Sequence, residues 1–197
     1  MEEMKIGDRI LNLLAGMFNQ ENYLHILPDG RGRSMKQSTS LPRSYNWNDL
    51  NEDAIKRELG IVNLPEDLEF LWFYCSSLVM HFEKSEGLDI QGIYIYSMEQ
   101  SLLRHNYFVK EHELSKTTED IHKGDLIIGE YISEQQYVLI RCDESCDDFG
   151  SILMTQPIDP REEWPIAAPS LIDFLETYFA AGEKFWESEK YWRNQMT

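Results

Sequence analysis

The stretch "DLIIGEYISEQQYVLIRCDESCDDFGSILMTQ", residues 125–156, decides the fold of this chain. It holds three runs rich in β-branched, aromatic and other apolar residues, and short runs of turn-forming residues separate them. Strands that follow one another so closely pair as antiparallel hairpins. We therefore predict strands over 126–132, 137–142 and 152–155 in one mostly antiparallel sheet.

Two helices are predicted in the first third of the chain. Residues 6–18 place apolar side chains at the i, i+4, i+7 and i+8 spacing of an amphipathic helix. Residues 46–60, NWNDLNEDAIKRELG, predict a second helix. Asn48 or Asn51 would cap its start, and Gly60 stands where a helix ends.

A third helix is predicted to begin in LPEDLEFLWFYCSSL, residues 64–78. Pro65 occupies an early helical position, and Glu66 and Asp67 supply the acidic first turn that the helix dipole favours. Apolar residues as far as Leu78 cover nearly every face of this segment. A helix that is apolar all round is normally buried, so we expect it in the core.

The later part of the chain adds one more strand and two helices. QGIYIYS predicts a strand over 93–96, and Ser97 is a helix cap for the residues that follow. Pro169 and Ser170 introduce a long aromatic helix with a break at Gly182. Helices, then neighbouring strands, then a helix indicate the α+β class, with a mostly antiparallel sheet flanked by helices.

A basic segment lies between the first two helices. From Gly30 to Tyr45 the chain has four basic residues and no acidic one, against the sign of the whole protein. Its Gly, Ser and Pro content predicts a long, solvated linker. DGRGRS is not a phosphate-binding loop, because the G-K-[ST] ending and a preceding strand are both missing.

The connection RCDESCDDFGS, residues 141–151, is predicted to be a hairpin turn in which Gly150 permits a positive φ. Its carboxylates should be exposed, because burying unpaired charges is costly. They are either solvated turn residues or the contact for a basic partner. The candidate partner-binding residues are Asp143, Glu144, Asp147 and Asp148.

Metal and redox chemistry are not predicted for this connection. A calcium loop that starts at Asp143 would need Gly where Asp148 stands and Glu where Met154 stands. Cys142 and Cys146 are four residues apart, which matches neither a redox pair nor a usual zinc pair. We expect no metal and no cofactor.

Net charge restricts the class of partner. Acidic residues outnumber basic ones 35 to 18, which gives a formal charge of −17. Such a field repels nucleic acid and attracts basic proteins, although acidity also serves solubility alone. The chain has no apolar run long enough for a membrane span, no basic start typical of a signal peptide, and three cysteines. We predict a cytoplasmic protein that binds another protein, with no nucleic acid and no membrane.

Sequence motifs for catalysis are missing. None of the five histidines pairs with another at i, i+4 spacing, and neither H-E-x-x-H nor G-x-S-x-G occurs. We expect His105 and His112 at the surface. No catalytic residue is predicted, and the chain is not expected to be an enzyme.

The segment "IKRELGIVNLPEDLEFLWFY", residues 55–74, resembles the opening signature of the SMI1/KNR4 (SUKH) superfamily. Residues 125–145 resemble the later strands of that family, and "PSLIDFLETYF", residues 169–179, resembles its closing helix. The family usually has Asn-Gly after the third helix, where this chain has YCSSLVM, residues 74–80. The matching signature residues are Glu58, Leu59, Gly60, Leu64, Pro65, Asp67, Phe70 and Leu71.

The resemblance implies an SMI1/KNR4-like domain over residues 47–181. Residues 1–46 would form a helix and basic loop packed on it, and residues 182–197 a helical tail. Trp72 and Phe73 would pack under the sheet. The implied function is a bacterial immunity protein that binds and neutralises a toxin domain, such as a basic nuclease. A regulatory or scaffold module of the same fold is the alternative, and a small hydrolase is the third choice.

Overall fold

A computed structural model describes residues 4–18, 37–40, 52–75, 77–84, 90–111, 120–132, 136–156 and 159–186. Within them the α-helices are α1 Ile6–Phe18, α2 Glu52–Leu59, α3 Glu66–Tyr74, α4 Met98–Asn106 and α5 Leu171–Ala181. The strands are β1 Gln37–Ser40, β2 Ser77–Lys84, β3 Ile90–Ile95, β4 Asp125–Tyr131, β5 Gln136–Arg141, β6 Ile152–Met154 and β7 Ile166–Ala168. A π-helical turn, Tyr107–Glu111, follows α4, and short 3-10 turns lie at Arg161–Glu163 and Gly182–Phe185.

The seven strands form one sheet in which each strand pairs antiparallel with the next along the chain. The predicted α+β class and antiparallel sheet are confirmed. The predicted strands at 93–96, 126–132, 137–142 and 152–155 match β3, β4, β5 and β6 to within a few residues at their ends.

Alternate residues of the strands enter two separate cores. Val138 and Ile140 pack with α1, α3 and α5 in the larger core, whereas Leu139 between them belongs to the smaller one. The smaller core comprises Tyr96, Ile127, Leu139, Leu153 and Trp164. Both faces of the central sheet are therefore apolar, which explains the continuous apolar runs in the sequence.

Local capping signals fix three helix ends as predicted. Ser97 accepts from Gln100 N and Gln100 bonds back to Ser97 N, a complete capping box at the start of α4. Ser170 accepts from Asp173 N at the start of α5, and Gly182 ends that helix with φ 58°. Asn48 and Asn51, the predicted caps of α2, lie outside the described residues.

The third helix is shorter than predicted. It ends at Tyr74, and Cys75 is already extended at φ −144° and ψ 148°. The prediction that it runs to Leu78 is wrong, because Leu78 lies in β2 opposite Ile95. Apolar content cannot distinguish the last turn of a buried helix from the first residues of a buried strand.

The basic linker also contains a strand. Gln37–Ser40 form β1 and pair with Ser77–Met80 of β2. The prediction of a linker without secondary structure is therefore wrong at these four residues. The sequence QSTS has no apolar alternation, so pairing with a neighbouring strand, rather than a sequence pattern, defines β1.

Two predictions about side-chain burial are also wrong. Phe73 is 54% exposed, whereas its neighbour Trp72 is buried and donates its indole N–H to the Tyr96 carbonyl at 3.0 Å. Only Trp72 therefore packs under the sheet. His105 is 6% exposed, because it shares the inner face of α4 with the buried Ser101. His112 lies outside the described residues.

The N-terminal helix and the C-terminal turn belong to the same core as the sheet. Ile10 and Met17 of α1 are fully buried, and Phe185 packs against Phe174 and Tyr178 of α5. No helix among the described residues combines the length and the apolar character needed to cross a membrane.

Candidate partner-binding site

The acidic loop, residues 142–151, joins β5 to β6 as predicted. Arg141 N donates to Ser151 O at 3.0 Å, and Gly150 N donates to Arg141 O at 2.7 Å. Gly150 has φ 83°, the conformation expected for it. On the other side, Cys142 N donates to Gly124 O at 2.7 Å. The loop is thus anchored at both ends by backbone hydrogen bonds.

The four predicted carboxylates fall into two pairs. Glu144 and Asp147 are exposed, whereas Asp143 and Asp148 are half-buried. Asp143 Oδ1 accepts from the Ser145 backbone at 2.9 Å and from its hydroxyl at 2.6 Å, and these bonds lower the pKa of Asp143. Exposure of all four was expected, and the structure corrects this because two of them are held by local partners.

Asp148 is held by an arginine that reaches into the core. Arg141 Nε lies 3.2 Å from Asp148 Oδ2, and Arg141 Nη1 lies 2.6 Å from Oδ1 of Asp125. Burial lowers the pKa of Arg141, but the carboxylates of Asp125 and Asp148 more than offset it, so the pKa is raised. The guanidinium connects the acidic loop to a buried charge.

Asp125 is the centre of this ion-pair network, with 0% of its side chain exposed. Its second oxygen is 2.9 Å from Arg161 Nη1 and accepts from His122 N at 2.8 Å. Arg161 also donates to the Asp120 carbonyl and lies over the Trp164 ring. Two arginines balance one buried carboxylate, as a charge removed from water requires.

Sequence reasoning missed this network. The signal for its first half was present, because a hairpin register that aligns β4 with β5 sets Asp125 opposite Arg141. No local pattern identifies Arg161, which reaches Asp125 from the 3-10 turn before β7.

The cysteines form no metal site among the described residues. Burial raises the pKa of the Cys75 thiol to about 12, and it also raises the pKa of Cys142. Cys146 is half-buried and accepts from Arg141 Nη2 at 3.3 Å. Two of the thiols are therefore buried in surroundings that disfavour the thiolate, and the third accepts a hydrogen bond within the loop.

An apolar concavity of about 300 Å³ lies beside α3, and we call it the Phe73 pocket. Glu52 and Glu69 stand at its edge, each with 40% of its side chain exposed. Burial and the adjacent Glu52 carboxylate raise the pKa of Glu69. The lining residues are Glu52, Leu64, Glu69, Phe70, Trp72, Phe73 and Met98.

A second concavity, of about 330 Å³, lies between β3 and α4. Tyr94, Tyr96 and Tyr107 line it, with Arg104 and Glu130 supplying opposite charges. Tyr94 donates to Gln100 Oε1 at 2.8 Å. Burial, followed by the effect of the Glu130 carboxylate, raises the pKa of Tyr96. The charges in this groove balance, so it has no clear preference for a basic or an acidic ligand.

Comparisons of the chain with protein-family models, with curated proteins and with solved structures found no match.

Proposed function

We propose that this chain is a cytoplasmic immunity-type protein that binds and neutralises a toxin domain with a basic surface, without catalysis of its own. The observation that carries the proposal is the acidic loop. Glu144 and Asp147 project from a connection that the buried Arg141–Asp125 pair anchors to the sheet. Exposed charges speed the encounter with a partner of opposite sign. Because the loop is already anchored, binding does not have to order it, and that entropic cost is avoided.

The net charge of −17 supports the same class of partner. A long-range acidic field attracts a basic surface before the two proteins touch, and it disfavours phosphate backbones. A nuclease toxin needs a positive surface to hold its substrate, so an acidic inhibitor suits it.

The residues that resemble the SMI1/KNR4 signature have structural partners, which favours a binding module over an enzyme. Asp67 is buried and accepts from Leu68 N at 2.9 Å and from Ile172 N at 3.0 Å, joining α3 to the start of α5. Gly60 ends α2 with φ 66°. These residues build the fold and leave the function to the surface.

The first test is the gene next to the one for this chain. We expect it to encode a long secreted protein with a variable C-terminal domain. That domain, made separately and inactivated, should co-purify with this chain as a stoichiometric complex. If tagged chain from its own host instead retains only endogenous regulatory proteins, and the secreted domain does not bind, the regulatory alternative is correct.

A further inference from the structure

Phe73 is a large apolar side chain that the fold leaves in water. It is 54% exposed, although Leu68, Leu71 and Trp72 of the same helix are buried. It also lines the Phe73 pocket, so the exposed ring adjoins an apolar concavity rather than standing alone. Exposed aromatic rings beside apolar pockets are typical of protein interfaces.

The edge of this pocket carries two carboxyl groups and one ammonium. Glu52 comes from the first turn of α2 and Glu69 from α3, and both side chains reach the ammonium of Lys56. Lys56 pairs with Glu52, and its Nζ is 3.6 Å from Glu69 Oε1. One ammonium thus serves two carboxylates, and the repulsion between them contributes to the raised pKa of Glu69.

An apolar wall next to paired carboxylates defines the chemistry of the occupant. It needs an apolar stem to cover Phe73 and a cationic end that satisfies both Glu52 and Glu69. A guanidinium suits these requirements better than an ammonium. It is more weakly hydrated, stacks on aromatic rings, and presents several donors in one plane.

We propose that the Phe73 pocket receives an arginine side chain of a basic protein partner, with its stem against Phe73 and its guanidinium against the Glu52 and Glu69 carboxylates, which it shares with Lys56. The inference rests on the proposed function in that the partner is basic. It places the main contact on residues that do not belong to the acidic loop. The loop then accelerates encounter, and the pocket supplies the anchor that slows dissociation.

Short peptides test the pocket without the toxin. The probe is acetyl-Gly-Leu-Arg-Leu-Gly-amide, compared with the same peptide carrying lysine or citrulline in place of arginine. Binding is followed by NMR on isotopically labelled full-length chain. We expect saturable shifts at Phe73 and Met98, about tenfold weaker binding for the neutral citrulline peptide, and an intermediate affinity for lysine.

Matched variants separate the pocket from general charge attraction. E52Q/E69Q and E144Q/D147N each remove two negative charges. The first should weaken arginine-peptide binding about tenfold and the second less than about twofold at physiological salt. Phe73→Ala should weaken it too. Circular dichroism should confirm that these variants, altered at exposed or half-buried positions, remain folded.

The proposal is overturned if the arginine peptide does not bind, if the two double variants lose affinity equally, or if the lysine peptide binds as tightly as arginine. Failure of the proposed function has a different signature. In that case the peptide binds at the pocket, but the neighbouring secreted protein's domain does not bind the chain. If the domain binds equally well to wild type and to E52Q/E69Q, the proposed function stands, but the Phe73 pocket is not its binding site.

Discussion

Arg141 and Asp125 form a buried ion pair across β5 and β4, with 2.6 Å between Nη1 and Oδ1. The same guanidinium reaches Asp148 in the acidic loop. The surface that we assign to partner encounter therefore depends on a charge inside the core. Changes at Arg141 should therefore affect both stability and the loop, whereas changes at Glu144 and Asp147 should affect the loop surface alone.

Arg141→Met should destabilise the fold. The methionine keeps an apolar stem but leaves Asp125 with Arg161 alone, and removing one partner of a buried pair costs about 3 kcal/mol. Asp148→Asn, which breaks only the half-exposed contact with the same arginine, should cost less than about 1 kcal/mol. Urea denaturation measures both. Equal losses would mean that the buried pair does not stabilise the fold.

Asp67→Asn should also destabilise the fold, because an amide has one acceptor oxygen for two backbone donors, Leu68 N and Ile172 N. Leu68 N keeps a second acceptor, Pro65 O at 3.0 Å, so the loss falls on Ile172 N, and leaving that donor unsatisfied costs about 1–2 kcal/mol at neutral pH. Ser170→Ala removes only the side-chain cap of α5 and should cost about 1 kcal/mol. The free energy of unfolding, again from urea denaturation, gives the comparison.

The contribution of Asp67 to the stability of the fold should decrease as the pH rises. Burial raises the pKa of Asp67, so the folded chain holds this proton more tightly than the unfolded chain. Stability from this group is then fully present below about pH 4 and declines as the pH rises, until the folded carboxyl ionises. The difference in the free energy of unfolding between wild type and Asp67→Asn should become smaller as the pH rises above about 4. A gap that widens would mean that the hydrogen bonds outweigh burial.

Two glycine-to-alanine substitutions should have opposite effects on the stability of the fold. In Gly129→Ala the new Cβ would lie 2.4 Å from the Tyr94 carbonyl oxygen, so β3 and β4 must separate, at a cost of about 3 kcal/mol. In Gly16→Ala, inside α1, the Cβ would make an ordinary contact with the Phe179 ring at 3.5 Å. It should stabilise the helix by about 0.5–1 kcal/mol. Thermal unfolding would distinguish the two; a lower melting temperature for Gly16→Ala contradicts this packing.

E144Q/D147N should leave the stability within about 0.5 kcal/mol of wild type. Association with the toxin domain should slow, and its dependence on salt should weaken, because exposed charges act mainly on encounter. Neutralising Asp143 and Asp148 as well removes contacts that organise the loop. Asp8→Asn/Glu99→Gln, on α1 and α4, is the control with the same change of charge. If the association rate measured by stopped flow is unchanged in E144Q/D147N, the loop is only a turn and takes no part in recognition.

Local signals predicted those parts of the fold that depend on neighbours in sequence. The β5–β6 hairpin, the Ser97 and Ser170 caps and the break at Gly182 all depend on residues within a few positions of one another. The acidic loop was predicted for the same reason, since its four carboxylates lie within six consecutive residues.

Features that depend on distant residues were not predictable from sequence patterns. β1 exists because β2 lies beside it, and the buried Asp125 is paired with Arg161, which reaches it from another turn. Likewise, the Glu52–Glu69 pair forms only when α2 packs beside α3. In α3 Trp72 is buried and Phe73 is exposed, although both residues are large and aromatic.

The most direct test of the central claim is growth of cells that express the C-terminal domain of the neighbouring secreted protein. We predict that this domain alone arrests growth and that co-expression of the chain restores it. E52Q/E69Q/F73A should protect less well than wild type at equal abundance. Arrest that continues despite abundant wild-type chain would contradict the account.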